Sequence, residues 1–256
     1  MDTTKTYNKS FFENIKVESL RSAREIVPLV VDLIRPQSVV DVGCGTGAWI
    51  KVFQEHGVQN VLGLDGEYVD REAILFPKER FVPCDLAAPV RLDRKFDLVV
   101  SLEVAEHLPQ KTSRTFVESL TNLGPVILFS SAIPFQGGVE HINEQWQDYW
   151  ADLFKERNYL AIDCIRGKVW SNKKVAFWFA QNTFIYVHRD YLDSHPELQK
   201  ERDKNSLPFA IVHPELFEKR AALGGLGIKQ TLMALPKMIL RALFRKIEGR
   251  NLNDHN

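Results

Sequence analysis

Between residues 38 and 130 one unit recurs: a short apolar, β-branched run, a turn, and a stretch with helical spacing. The runs are 38–42, 60–64, 80–84, 96–102 and 125–130, with helices expected at about 48–56 and 113–121. Runs that are mainly apolar, without polar alternation, belong to strands buried on both faces. Parallel neighbours also need crossover helices, so the pattern predicts a parallel sheet covered on both sides. A chain of 256 residues, 45% hydrophobic and 26% charged, is long enough for one such domain and an appendage.

Residues 160–165 and 175–187 read as two further strands joined by a polar turn at Asn172. They would add an antiparallel pair at one edge. The expected fold is therefore α/β, with a seven-stranded, mainly parallel sheet and helices on both faces. The segment 143–157 reads as a helix, with Trp146, Trp150, Leu153 and Phe154 on one apolar face. Residues 1–16 lack a period and are expected to form a mobile arm. From 17 to 34, Leu20, Ala23, Ile26, Val27, Val30, Val31 and Ile34 keep helical spacing until Pro36. The chain thus divides into 1–36, an arm and helix; 37–187, the main domain; and 188–256, a helical extension.

That extension holds 12 basic against 9 acidic side chains. Within it, 228–247 interleaves leucines and isoleucines with Lys229, Lys237, Arg241, Arg245 and Lys246. Two readings stand: a helix docked on the domain or a partner, or a basic amphipathic helix making peripheral contact with anionic lipid. Over the whole chain 33 basic residues balance 33 acidic ones, which argues against a nucleic-acid coat. Cys44, Cys84 and Cys164 lie far apart, without metal-ligand spacing, and read as reduced thiols. No apolar run approaches the roughly 18–20 residues that span a bilayer, and the first residues lack a signal-peptide core. A cytoplasmic location is expected.

The first strand ends in glycines: Val39-Val40-Asp41-Val42-Gly43-Cys44-Gly45-Thr46-Gly47. Such a turn bends the backbone sharply and offers bare main chain to a ligand. Gly43, Gly45 and Ala48 also satisfy a loose dinucleotide fingerprint. The charges separate the two possibilities. Carboxylates repel a pyrophosphate, yet Asp41, Asp65 and Asp85 stand at the ends of successive strands. Three carboxylates at one edge suit a ligand with ammonium and sulfonium cations, a ribose diol and an adenine amine.

That ligand is S-adenosylmethionine, and in this loop the chain resembles the class I (Rossmann-like) methyltransferases, which carry D/E-x-G-x-G-x-G. The resemblance spans about residues 25–187, including the terminal antiparallel pair that dehydrogenase domains lack. It implies that 37–187 binds S-adenosylmethionine and that Asp41, Gly43, Gly45 and Gly47 form the donor loop. It implies further that Asp65 holds the ribose hydroxyls, Asp85 with Leu86 meets the adenine, and Glu103 lines the methionine.

The acceptor side begins after the fourth strand, at Glu103-Val104-Ala105-Glu106-His107-Leu108-Pro109. The N/D-P-P-Y/F motif of nucleobase amine methylation is missing, so no nucleic-acid partner is expected. The E-H-L run is similar to the small-molecule branch. Two carboxylates and an adjacent imidazole can also form part of a Mg²⁺ or Mn²⁺ site at Glu103, Glu106 and His107. This E-x-x-E-H pattern resembles metal-using O-methyltransferases of the quinone pathway. It resembles, too, those acting on the terminal ribose of small RNAs, which add a histidine from a later loop. The other reading has Glu103 lining the donor while Glu106 and His107 cap or pair locally.

His141, in a loop with Gly137, Gly138 and Asn143, is the candidate catalytic base, since imidazole titrates near neutrality. Alternatively it completes the metal site, or it and Asn143 cap the next helix. Trp178, Gln181 and Asn182 in the last strand could reach the same pocket. Polar walls with few basic residues suit a neutral hydroxylated acceptor. The expected activity is methyl transfer to an oxygen of a small, sugar-like molecule or glycan, as in the bacterial glycan-pathway methyltransferases the chain is similar to. N-methylation of an amino sugar and a non-catalytic S-adenosylmethionine-binding protein are the alternatives.

Overall fold

The computed structural model describes residues 9–204 and 209–224. Its sheet comprises β1 (Ser38–Val42), β2 (Asn60–Asp65), β3 (Phe81–Pro83), β4 (Leu98–Leu102), β5 (Val126–Ser130), β6 (Tyr159–Ile162) and β7 (Phe184–His188). Their order is β3-β2-β1-β4-β5-β7-β6. Neighbours among β1 to β5 pair in parallel, β7 runs antiparallel to β5, and β6 antiparallel to β7. This is the α/β architecture expected, with its antiparallel pair at one edge.

Side chains along each strand alternate between two cores, as the pleat requires. Val39, Leu98, Val100 and Leu128 face α1 (Lys9–Ile34) and α2 (Ala48–Glu55). Val40, Val99, Ile127 and Phe129 face α3 (Ser113–Leu123) and α4 (Gln147–Lys155). Both sides are apolar, which is why the strands show no polar alternation in sequence. Across the second core Phe154 stacks on Tyr186, with ring centroids 3.9 Å apart.

Three local expectations are corrected. First, α1 begins at Lys9 rather than at 17, because Lys9 to Lys16 contain neither glycine nor proline and propagation costs little once a helix exists. Second, the helix expected at 143–157 starts at Gln147, preceded by an extended Trp146. Asn143 is tied down before it, donating to Ala105 O and Ser113 Oγ at 3.2 and 3.1 Å. Trp146 is consequently 41% exposed while Trp150, at 2%, joins the core.

Third, β6 and β7 are not joined by a simple polar turn. α5 (Arg166–Val169) and α6 (Phe177–Asn182) lie between them, so the run read as one strand is a helix followed by β7. An apolar run does not by itself distinguish a buried helix from a buried strand. Packing decides here: Phe179 of α6 meets Trp49 of α2 edge-on at 5.1 Å. Asn172 donates instead to Glu25 of α1, at 2.8 Å.

After β7 come α7 (Arg189–Asp193) and α8 (Pro196–Asp203). The chain divides between His213 and Pro214 into two compact units, and the described part of the second is α9 (Pro214–Gly224). The basic stretch at 228–247 lies outside the described residues. No described helix is long and apolar enough to cross a membrane.

Candidate functional site

The glycine turn after β1 has the strained geometry that only glycine adopts readily. Gly43, Gly45 and Gly47 have φ of 87°, 52° and 82°. Gly43 N and Cys44 N both donate to Leu64 O, at 2.8 and 3.1 Å, stitching the turn to β2. Gly45 N donates to Asp65 Oδ2 at 2.6 Å. Asp65, 3% exposed, also accepts from Gly66 N at 2.7 Å and from the Tyr68 hydroxyl at 2.5 Å, both at Oδ1.

Asp41 is 2% exposed and its Oδ2 has no hydrogen-bond partner among the described residues. Burial, and then the neighbouring Asp65, push its carboxyl well above the usual range. A cation brought alongside would reverse that penalty. Asp85 is exposed two residues beyond β3, with Oδ1 accepting from Ala87 N at 2.9 Å, while Leu86 is buried behind it. Asp41, the glycine turn, Asp65, Asp85 and Leu86 thus lie in or just beyond β1, β2 and β3.

Glu103 follows β4 with φ 55°, and its backbone N donates to Ser130 O and Oγ at 3.0 and 3.1 Å. Its carboxylate accepts from Gln136 Nε2 at 2.7 Å and Asn182 Nδ2 at 3.3 Å. Burial raises its pKa, and hydrogen bonds from Ser130, Gln136 and Asn182 oppose the rise. Glu106, fully buried in the turn Ala105–His107, accepts from Ser131 Oγ at 3.1 Å. Burial and then the charge of Glu103 push its carboxyl well up. Its Oε1 has no partner among the described residues, and a proton shared with Glu103 or a cation would satisfy it.

The His107 and His141 rings meet edge to face, with centroids 4.9 Å apart. Burial, then the nearby His141, push His107 down to about 4, so it is neutral near pH 7. One ligand atom from each of Glu106, His107 and His141 lies within 4.8 Å of the other two. Glu103 is outside this group, with its oxygens engaged by Gln136 and Asn182. Two of the three residues considered for a metal are therefore grouped with the histidine of the later loop.

Glu144 organises that loop. Its carboxylate accepts from Phe135 N at 2.8 Å and Gly137 N at 2.6 Å, and its Oε1 lies 3.1 Å from His141 Nδ1. A carboxylate only accepts, so Nδ1 is the donor here, and in the neutral imidazole Nε2 keeps the lone pair. A Cβ on Gly138 would sit 2.1 Å from Nε2, so glycine there makes room for the ring. Ile142 N and Asn143 N both donate to Glu106 O, at 2.9 and 3.0 Å, which draws the loop onto the turn that carries Glu106.

Gln181 and Asn182 do reach the site, from α6, and Asn182 bonds Gln136 Oε1 at 2.8 Å as well as Glu103. Trp178 packs on the first core. Sequence reasoning assigned no role to Tyr68, Ser131, Gln136, Gly138 or Glu144. The loop 130–146 that holds four of them is marked as ligand-side by its Gly-Gly and polar residues, but loops carry no period that would assign single roles, and Tyr68 has no local signal at all.

A family model described as a methyltransferase domain matches residues 16–182. Among solved structures, the chain is similar to the methyltransferase domain of bacterial CtHen1-C. Identity is 15% and the TM-score 0.50, covering 66% of this chain and 98% of that one. It is similar also to an O-methyltransferase family protein from Burkholderia thailandensis, at 13% identity and TM-score 0.52, covering 72% and 60% of the two chains. The plantazolicin methyltransferase BpumL, in complex with SAH, gives 12% identity and TM-score 0.52, covering 73% and 91%. No curated protein sequence matches. The matched family model, the sheet order and the glycine turn agree: the chain belongs to the methyltransferase-domain family and is a class I S-adenosylmethionine-dependent methyltransferase.

Proposed function

We propose that the enzyme methylates a hydroxyl oxygen of a small, sugar-like acceptor, assisted by a divalent cation at Glu106, His107 and His141. The convergence of those three side chains within 4.8 Å carries this reading. The buried Glu106 Oε1, without a hydrogen-bond donor among the described residues, fits a cation ligand. Two imidazoles and one carboxylate suit Mn²⁺ better than Mg²⁺, which prefers an oxygen octahedron. A cation bound there would lower the pKa of an acceptor hydroxyl.

The chain's own residues do the positioning. Glu144 fixes the His141 tautomer, and Gln136 and Asn182 fix Glu103 between the donor and acceptor sides. Alignment of acceptor and methyl is a large part of what such a site can contribute, since the sulfonium is already a good leaving group. Arg166, the fully buried arginine nearby, is paired with Asp163 at 2.5 Å. That pairing favours a neutral acceptor over a polyanion. The Glu144–His141 pair supports a second reading, in which no cation is used and His141 Nε2 takes the hydroxyl proton.

Radiolabelled methyl transfer into nucleotide-sugar and glycan fractions tests both. Transfer abolished by a chelator and restored by Mn²⁺ is the expected result. Chelator-indifferent transfer that is lost in His141→Ala would support the base instead. Label recovered on an amine nitrogen would reject oxygen as the acceptor atom.

A further inference from the structure

Asp65 has a feature that ribose binding alone does not require. A carboxylate offers about four lone-pair positions. Three are filled here, by Gly45 N at 2.6 Å, Gly66 N at 2.7 Å and the Tyr68 hydroxyl at 2.5 Å. The first two donors are backbone, held by the glycine turn and by β2. The third belongs to a side chain that is 76% exposed yet folds back onto a carboxylate that is 3% exposed. The Tyr68 ring lies across Gly66, where a Cβ would come within 2.2 Å of Tyr68 Cε1. Any larger residue at 66 would push the ring off.

A ribose diol needs two acceptor positions on Asp65, and one is left. Of the three donors only Tyr68 can leave without unmaking the turn, and its ring is already largely in water. We propose that Tyr68 is a placeholder for a ribose hydroxyl: it satisfies Asp65 in the empty enzyme and is displaced when the donor binds. The inference rests on the contact between the donor ribose and Asp65. It sets donor affinity by competition, since a hydrogen bond to a charged group is broken as one of the two ribose bonds forms. It also gives the buried carboxylate a partner between turnovers, when an unfilled position would be costly.

Tyr68→Phe keeps the ring and removes only the competing donor. Titration calorimetry of the full chain with S-adenosylhomocysteine should show Tyr68→Phe binding about tenfold more tightly than the natural enzyme, the size of one charge-assisted hydrogen bond no longer displaced. The 2′,3′-dideoxy form of the same ligand has no hydroxyl to compete, so the gain should vanish with it. Equal or weaker binding of S-adenosylhomocysteine by Tyr68→Phe, or an equal gain with the dideoxy ligand, would overturn the placeholder role. Asp65→Asn separates the two levels. If it leaves the affinity for S-adenosylhomocysteine unchanged, the ribose contact itself falls, whatever Tyr68 does.

Discussion

Gly47→Ala is a quantitative test of how the donor turn is built. Gly47 caps α2 in the left-handed region, at φ 82° and ψ 34°. An L-residue there costs about 1–2 kcal/mol in backbone strain. A Cβ would also fall 2.2 Å from Phe76 Cδ1, and the same ring lies 2.5 Å from a Cβ placed on Gly63. Phe76, 6% exposed, is thus slotted between two glycines and has little room to yield. Overpacking of this kind adds about 1–3 kcal/mol, so Gly47→Ala should lose about 2–5 kcal/mol in all. Phe76→Ala alone should cost about 3–5 kcal/mol through the cavity it leaves. In the Phe76→Ala background the clash is gone, and Gly47→Ala should cost only the backbone part of about 1–2 kcal/mol. Urea unfolding followed by tryptophan fluorescence, with the m-value held constant across variants, measures the cycle. A Gly47→Ala cost below about 1 kcal/mol, or the same cost in both backgrounds, would refute the slot argument.

Three further outcomes are expected. Asp163→Leu or Arg166→Met alone should cost about 3–5 kcal/mol by stranding a buried charge, whereas the double variant should lose far less; additive losses in denaturant melts would contradict this. Asp41 has a raised folded pKa, so its favourable contribution is complete below the unfolded pKa and fades as pH rises through the folded one. The stability of Asp41→Asn relative to the natural enzyme should therefore increase with pH, while its donor affinity drops; a pH-independent difference would remove the burial argument. Glu144→Ala should lower kcat by about 10²-fold, the scale of a lost general acid–base orientation, with donor affinity nearly unchanged in calorimetry. A loss confined to donor binding would place Glu144 elsewhere in the mechanism.

The strands and the donor turn were legible because their signals are local. Apolar runs such as Val39–Val42 and Leu98–Leu102 need only their own residues to announce burial on both faces. Gly43, Gly45 and Gly47 announce a turn because other residues are strained at their φ values. The acceptor side carries no such period. Trp146 and Trp150 share helical spacing, yet only Trp150 is core, because Asn143 holds the chain extended up to Gln147. Likewise Val175 to Val187 is apolar except at Gln181, Asn182 and Thr183, and the break into α6 and β7 depends on Phe179 finding Trp49 and on Asn182 finding Glu103.

Residue types alone determined the parallel sheet, the carboxylate-rich donor edge and the presence of Glu106, His107 and His141 as candidate chemistry. The grouping of those three, the exclusion of Glu103 from the group, and the roles of Glu144 and Tyr68 were decided only by the folded chain. The reason is physical. Glu106 and His141 meet because two loop amides bond the Glu106 carbonyl, and a contact across that separation costs chain entropy that only the assembled sheet edge offsets.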